Sequence, residues 1–256
     1  MLDLAAQLIH EVIPGSKVSL YWLGGVGYII KTNKITLGLD LYLSNSCMNK
    51  NGDFKRLIPS LMDAKDIELD YLIATHDHGD HFDVGSIQQF INDGTKTRLI
   101  GPDSVINAGK ELGLAESKLV KLDRNEQIAV DGIKIRGVFA DHGEYSPDAI
   151  GVIIEIEGKS IYFTGDTCYR VDFPQLVPIK DKIDLLIVPI NGKFGNPDAK
   201  DASYITAWVK PQIVIPCHFW MFKEHGGDPG EFVKCCQEIA PSSKIVIPAI
   251  GEEFLF

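Results

Sequence analysis

The chain has 256 residues, 45% hydrophobic and 23% charged, which excludes the disordered, collagen-like and disulfide-scaffold classes. A chain of this length hides roughly 70–75% of the surface its unfolded form exposes, so no metal or disulfide is needed to hold it together. The formal net charge of -10 is spread along the chain, which disfavours a polyanionic partner such as nucleic acid.

The N-terminal segment has no basic region and carries Asp3 and Glu11, so it does not read as a signal peptide. The longest stretch without a charged residue, 18–30, is shorter than the ~20 residues a membrane span needs. Five cysteines without a C-x-x-C pair fit a reducing compartment, and the expected location is the cytoplasm. His10, in a segment of helical spacing, reads as structural. From 17 to 42 the runs VSLYWL, YIIKT and ITLGLD, broken by glycines and Asn33, predict a strand meander. The strand YLIAT then passes directly into a polar loop. Beyond it, VGSIQQFIN, DSVINAGKEL, DASYITAWV and DPGEFVKCCQEI carry helical periodicity. The last of these opens with Asp228 as cap, Pro229 at the first helical position and Glu231 closing a capping box. Between them lie the strands TRLIG, KIRGVFA, AIGVIIEI, KSIYFTG, DLLIVPI, QIVIP and KIVIP. Without repeats or linkers, residues 1–256 read as a single domain of α/β class, with sheets covered by helices.

Three of the seven histidines fall in one segment, Thr75-His76-Asp77-His78-Gly79-Asp80-His81, directly after a strand. Imidazole nitrogens and carboxylate oxygens are ligands for zinc, manganese or iron, and crowding four into one loop calls for a cation. In an extended loop His76 and His78 point the same way, while Asp80 and His81 turn toward a second position. Three more ligand-type residues follow apolar strands: His142 after KIRGVFA, Asp166 after KSIYFTG and His218 after QIVIP. Singly, each has an ordinary structural role as turn former, cap or hydrogen-bonded histidine. Together with the histidine-rich loop they make a set.

These residues, with Asp40 at the end of LGLD, resemble the metallo-β-lactamase superfamily in order and spacing, from about Lys17 to Glu253. The resemblance implies an αββα sandwich of two mixed sheets with helices on the outer faces. It implies two divalent metal ions, Mn2+ or Zn2+. His76, His78 and His142 would hold one, and Asp80, His81 and His218 the other. Asp166 would bridge them, and Asp40 would support the ligand loops from behind. Asp80 and Asp166 would be the catalytic carboxylates. Histidine rather than glutamate at position 78 departs from the diiron oxygen-reducing branch and favours hydrolysis.

The stretches ADHGEYSPDAIGVII, YFTGDTCYR, VPINGKFGN and IPCHFWMFKEHGGDP are similar to those of the L-ascorbate-6-phosphate lactonases, which implies hydrolysis of a small anionic sugar-acid lactone by a metal-bridging hydroxide. Asn191, Lys193, Lys223 and His225 are the candidate contacts for the anionic group, and Tyr28 and Trp220 the candidate pocket aromatics. Cys168 and Cys217 read as buried small hydrophobes. A phosphodiesterase or nuclease would want a basic, aromatic-bearing stripe, which is missing. A non-catalytic metal-binding protein is disfavoured because no ligand position is vacant. The expected partner is a small anionic substrate, with self-association into a homo-oligomer left open and no nucleic acid or membrane.

Overall fold

The computed structural model describes residues 4–179 and 182–256; Asp3 of the N-terminal segment lies outside them. The chain begins with helix α1 (Leu4–His10) and a meander of three strands, β1 (Ser19–Trp22), β2 (Tyr28–Lys31) and β3 (Thr36–Leu39). Strands β4 (Tyr71–Ile73), β5 (Arg98–Gly101) and β6 (Leu119–Lys121) extend the same sheet in parallel from β3. Two helices lie between them in sequence, the single turn α2 (Ile87–Phe90) and α3 (Asp103–Glu111).

The second sheet starts with the antiparallel strands β7 (Gln127–Val130), β8 (Ile133–Phe139), β9 (Ile150–Ile156) and β10 (Lys159–Phe163). It continues in parallel through β11 (Leu185–Pro189), β12 (Ile213–Cys217) and the short β13 (Lys244–Ile245). Helices α4 (Phe173–Leu176), α5 (Ala199–Val209) and α6 (Pro229–Ile239) fall among these later strands. The chain then returns to the first sheet, where β14 (Glu253–Leu255) pairs antiparallel with β1. Each sheet has seven strands among the described residues, in the orders β14-β1-β2-β3-β4-β5-β6 and β13-β12-β11-β10-β9-β8-β7.

The period-two alternation of the strands explains how the layers stack. On the first sheet Leu20, Trp22, Tyr28, Ile30, Tyr71, Ile73 and Ile100 join the core shared with the second sheet. Their neighbours Tyr21, Leu23, Ile29, Leu72, Ala74 and Leu99 face the other way and pack with Leu4 and Leu8 of α1, Ile87 and Phe90 of α2 and Val105 of α3. Because both faces are covered, β1 and β2 are buried along their whole length. Ala202 and Ile205 of α5 and Phe232 and Cys236 of α6 pack with the strands of the second sheet. The result is the αββα sandwich the resemblance implied.

Two elements are shorter than their periodicity predicts. In VGSIQQFIN the Asp83 carboxylate accepts bonds from the Gly85 amide and the Ser86 hydroxyl, holding 83–86 as a turn and leaving one helical turn beyond it. KIVIP pairs only at Lys244 and Ile245, with one further bond from the Val246 amide to Val214, because Pro248 has no N–H to offer. Among the described residues no helix is long and apolar enough to cross a membrane.

Candidate metal centre

The parallel direction of β3, β4, β8, β10, β11 and β12 brings their C-terminal ends to one edge of the sandwich. The loops leaving that edge carry Asp40, the 75–81 segment, His142, Asp166, Asn191 and His218. Local backbone strain accompanies the convergence: Asp40 and His218 sit at φ of 41° and 63°, a region non-glycine residues rarely adopt. Gly165, at φ 61°, lets the loop before Asp166 approach the 75–81 segment. A Cβ there would lie 2.6 Å from the Ile150 carbonyl oxygen and 3.1 Å from Thr75 Cβ.

All eight candidate ligand and support residues are nearly or fully buried or wall the cavity described below, and the tautomers of His76, His78 and His81 follow from their outer partners. Asp40 accepts from the Thr75 amide at 2.8 Å, from the Thr75 hydroxyl at 2.6 Å and from His81 Nδ1 at 2.6 Å. His81 therefore holds its proton on Nδ1 and turns the Nε2 lone pair toward Asp166 Oδ1, 3.4 Å away, and Asp80 Oδ2, 3.9 Å away. The Thr75 hydroxyl, its own proton given to Asp40, accepts from His76 Nδ1 at 3.2 Å, which leaves the His76 Nε2 lone pair facing inward. His78 Nε2 donates to the Tyr145 carbonyl at 3.1 Å, leaving Nδ1 as its lone-pair nitrogen.

The lone pairs so defined meet one another. His78 Nδ1 lies 2.9 Å from His76 Nε2 and 3.3 Å from His142 Nε2. His81 Nε2 and Asp166 Oδ1 are buried without a hydrogen-bond partner. Three sets of ligand atoms are each close enough to share an ion: His76, His78 and His142; His76, His81 and Asp166; Asp80, His218 and His225. Converging nitrogen lone pairs and orphaned buried acceptors are costly unless a cation sits between them, so the residues present fit divalent metal ions.

Electrostatics reinforces this. Burial, then the neighbouring His81, holds the His76 imidazole well below its usual pKa, and burial pushes His142 down to about 4 and His225 to about 3. At His81 burial also pulls downward, but Asp166, Asp40 and Asp80 outweigh it and the net direction is up. Burial raises the Asp166 carboxyl, and His218 and His81 more than reverse this, holding it well below the carboxylate range. Asp80 is lowered in the same way, by His81 and His218 against burial. Near neutral pH these shifts leave Asp80 and Asp166 ionised and His76, His142 and His225 neutral, as metal binding requires, while His81 is favoured in its charged form by the three carboxylates and an incoming cation would displace its Nε2 proton.

A cavity of about 340 Å³ opens over the cluster. His78, Asp80, His142, Asp166, His218 and His225 form its polar side, and Cys47, Phe54, Tyr145, Phe194 and Phe222 its wall. Of the four candidate anion contacts only His225 lines this cavity. Its Nδ1 lies 3.2 Å from His218 Nδ1 and its Nε2 4.0 Å from Asp80 Oδ2. Asn191 is buried, with both amide atoms lacking a partner, outside the lining. Lys193 is exposed, and Lys223 Nζ is 3.5 Å from carboxylates of both Asp53 and Glu224. Tyr28 and Trp220 do not line the cavity, contrary to the sequence reading. Tyr28 faces the inter-sheet core and Trp220 is half exposed, so their aromatic character serves other surroundings. Cys217 is buried as expected, while Cys168 is only half-buried.

Sequence reasoning missed Asn196. Its amide donates to Asp166 Oδ2 at 2.7 Å and its carbonyl accepts from the Thr167 amide at 2.9 Å, so one side chain locks the Asp166 carboxylate. An asparagine in a Gly-Asn-Pro loop reads as a turn residue, and nothing local points to Asp166, thirty residues away.

Fold and site together define a two-sheet sandwich with a buried His/Asp metal centre at the strand ends. A family model for the β-lactamase superfamily domain matches residues 19–218. A UPF0173 metal-dependent hydrolase of Thermococcus onnurineus is 31% identical over 196 residues, covering 73% of this chain and 82% of its own. Another from Pyrococcus abyssi is 29% identical over 246 residues, 92% of this chain and 98% of its own. The chain thus belongs to the β-lactamase superfamily and, within it, to the UPF0173 family of metal-dependent hydrolases. Its fold matches that of Igni18, a metallo hydrolase from Ignicoccus hospitalis, with a TM-score of 0.72 at 21% identity over 94% of this chain and 98% of that one.

Proposed function

We infer that the protein is a metal-dependent hydrolase that opens a small lactone or carboxylic ester at the His/Asp centre. The observation that carries this reading is the inward convergence of unpaired lone pairs from His76, His78, His81, His142 and Asp166 on the floor of a cavity of substrate size. The names of the relatives, metal-dependent hydrolases, support the reaction class. When bound, divalent cations supply Lewis acidity, which makes a coordinated water acidic and polarises a carbonyl or phosphoryl oxygen.

The remaining work falls to side chains of the chain itself. His76, His78 and His142 would hold one cation, Asp80, His81 and His218 the second, with Asp166 between them. Asp40 keeps His81 in the tautomer that offers Nε2, and Asn196 fixes the rotation of the Asp166 carboxylate. If His218 offers Nε2 to the centre, its Nδ1–H donates to His225 Nδ1. His225 then carries its proton on Nε2, facing the cavity beside Asp80, where it can donate a hydrogen bond to a substrate oxygen.

The resemblance of 142–154 and 189–192 to the L-ascorbate-6-phosphate lactonases supports the lactone bond but not its phosphate, because of the four candidate anion contacts only His225 lines the cavity. Steady-state hydrolysis of lactones and esters by Mn2+- or Zn2+-loaded protein tests the reading. The expected result is turnover that chelation removes and metal restores. Cleavage confined to phosphodiesters would overturn it.

A further inference from the structure

We propose that the substrate carries an uncharged hydrophobic group of about the size of a phenyl ring, seated against Phe54, Phe194 and Phe222. This deepens the hydrolase reading and rests on it for the scissile bond, but its evidence lies in the aromatic wall of the cavity.

Three observations converge. The wall beside the His/Asp floor is built from the rings of Phe54, Phe194 and Phe222 together with Cys47, and among the described residues no lysine or arginine lines the cavity. The rings form a connected surface. Phe54 stands 5.6 Å from Phe222 and 6.0 Å from Phe194, and Phe222 and Phe194 reach His225 at 4.9 and 5.9 Å. The wall therefore runs directly into the polar floor, as a site for an acyl group with a hydrophobic substituent would require.

The second observation is backbone strain. Phe54 and Phe194, on two separate loops, both sit at φ 54°, where a Cβ is disfavoured and glycine would be the relaxed choice. Phe194 is also 42% exposed, so burial does not account for its ring. A bulky aromatic residue held in a left-handed conformation and left half exposed at a cavity mouth is strain without a packing return. Such strain collects where a side chain must be aimed at a ligand.

The third is charge. The protein carries a net charge of -10, and the candidate anion contact Lys223 is already shared between Asp53 and Glu224. A remote phosphate or carboxylate on the substrate would meet aromatic rings and find no counter-ion there. Size agrees as well. An apolar cavity of about 150 Å³ accommodates benzene, and the 340 Å³ here leaves room for a ring and the acyl group it bears.

The test uses metal-loaded protein and calorimetric titration with three hydroxamates, which chelate through the same head: acetohydroxamate, phenylacetohydroxamate and 4-carboxyphenylacetohydroxamate. The expected result is tenfold or tighter binding of the phenyl compound over the methyl one, with most of that gain lost when the ring bears a carboxylate. In Phe194→Gly, which relieves the backbone strain while removing the ring, the phenyl-to-methyl ratio should fall at least threefold with thermal stability equal or higher. Phe54→Leu, which keeps bulk, should lower the ratio less than Phe54→Ala. Equal binding of the phenyl and methyl compounds, or tighter binding of the carboxylate, would overturn the proposal while leaving the hydrolase reading in place. An unchanged ratio with lower stability in Phe194→Gly would make Phe194 a packing residue and overturn it likewise. If acetohydroxamate itself fails to bind, the metal-centre reading fails and this proposal with it. Phenyl-selective binding without hydrolysis of any ester or lactone would support the hydrophobic site and count against the lactone or ester chemistry alone.

Discussion

Asp166 illustrates how much one carboxylate is asked to do. One oxygen accepts from Asn196, and the other lies 3.4 Å from His81 Nε2 and 3.2 Å from His218 Nε2 with no hydrogen bond. If Asp166 lies between two cations as proposed, replacing it by alanine removes the charge between them, so Asp166→Ala is expected to lose both activity and at least one equivalent of metal while keeping its fold. Metal analysis together with circular dichroism checks this, and full occupancy with wild-type turnover would refute the bridging role. Asn196→Ala leaves Asp166 in place but free to rotate. The expected cost is about 10- to 100-fold in metal affinity or kcat/KM, the range seen for partners that orient ligands. Asp40→Asn keeps the shape but can offer an N–H where His81 needs an acceptor, so a metal-affinity loss of similar size is expected, read by competition with a chromogenic chelator.

At the scale of elements, the loops matter more than the strands. Asp83 is buried and accepts from the amides of Leu43, Ser44 and Gly85 and from the hydroxyls of Ser44, Ser46 and Ser86. It ties the segment after β3 to the turn before α2, and that segment leads into Cys47 and Phe54 of the cavity wall. Asp83→Ala leaves several of these donors unpaired at once and is expected to cost about 2–4 kcal/mol, measured by urea denaturation. Asp228, by contrast, caps α6 with a bond to the Gly230 amide, and its alanine variant should cost only about 1 kcal/mol. The capping signal of α6 was legible because a cap acts within three residues. The shortening of α2 was not, because the periodicity of Ile87, Phe90 and Ile91 says nothing of the Asp83 turn that precedes them. Strand β14 was missed as well. Its partner β1 stands more than two hundred residues away, and its half-buried residues lack a strong alternation.

For the whole molecule, the core does not depend on the metal centre. One core cluster runs from Val18 to Cys236 and joins the inter-sheet layer to the helices over the second sheet, and another buries the outer face of the first sheet. Removal of metal by chelation is therefore expected to leave the far-ultraviolet circular dichroism unchanged while lowering Tm. Bound ligand at a hundred times its Kd stabilises by about 2.7 kcal/mol, which in a protein of this size corresponds to a shift on the order of 5–10 °C. Loss of secondary structure on chelation would mean that the ligand loops nucleate the sandwich.

The layered α/β architecture and the set His76, His78, Asp80, His81, His142, Asp166 and His218 as ligand-type residues at strand ends are legible from the amino-acid order. Both are written in short-range signals, period-two strands, caps and a histidine-rich loop, which do not need the rest of the chain to be read. Which nitrogen His78 and His81 turn inward emerges from the packed fold, because it depends on the Tyr145 carbonyl and Asp40, which lie far off in sequence. The packed fold also decides which side chains wall the cavity. Phe54, Phe194 and Phe222 come from loops after different strands, and Lys193 and Lys223, neighbours of cavity residues along the chain, do not line it. A loop residue one position along can face the other way, so adjacency in sequence carries little information about which groups meet a substrate.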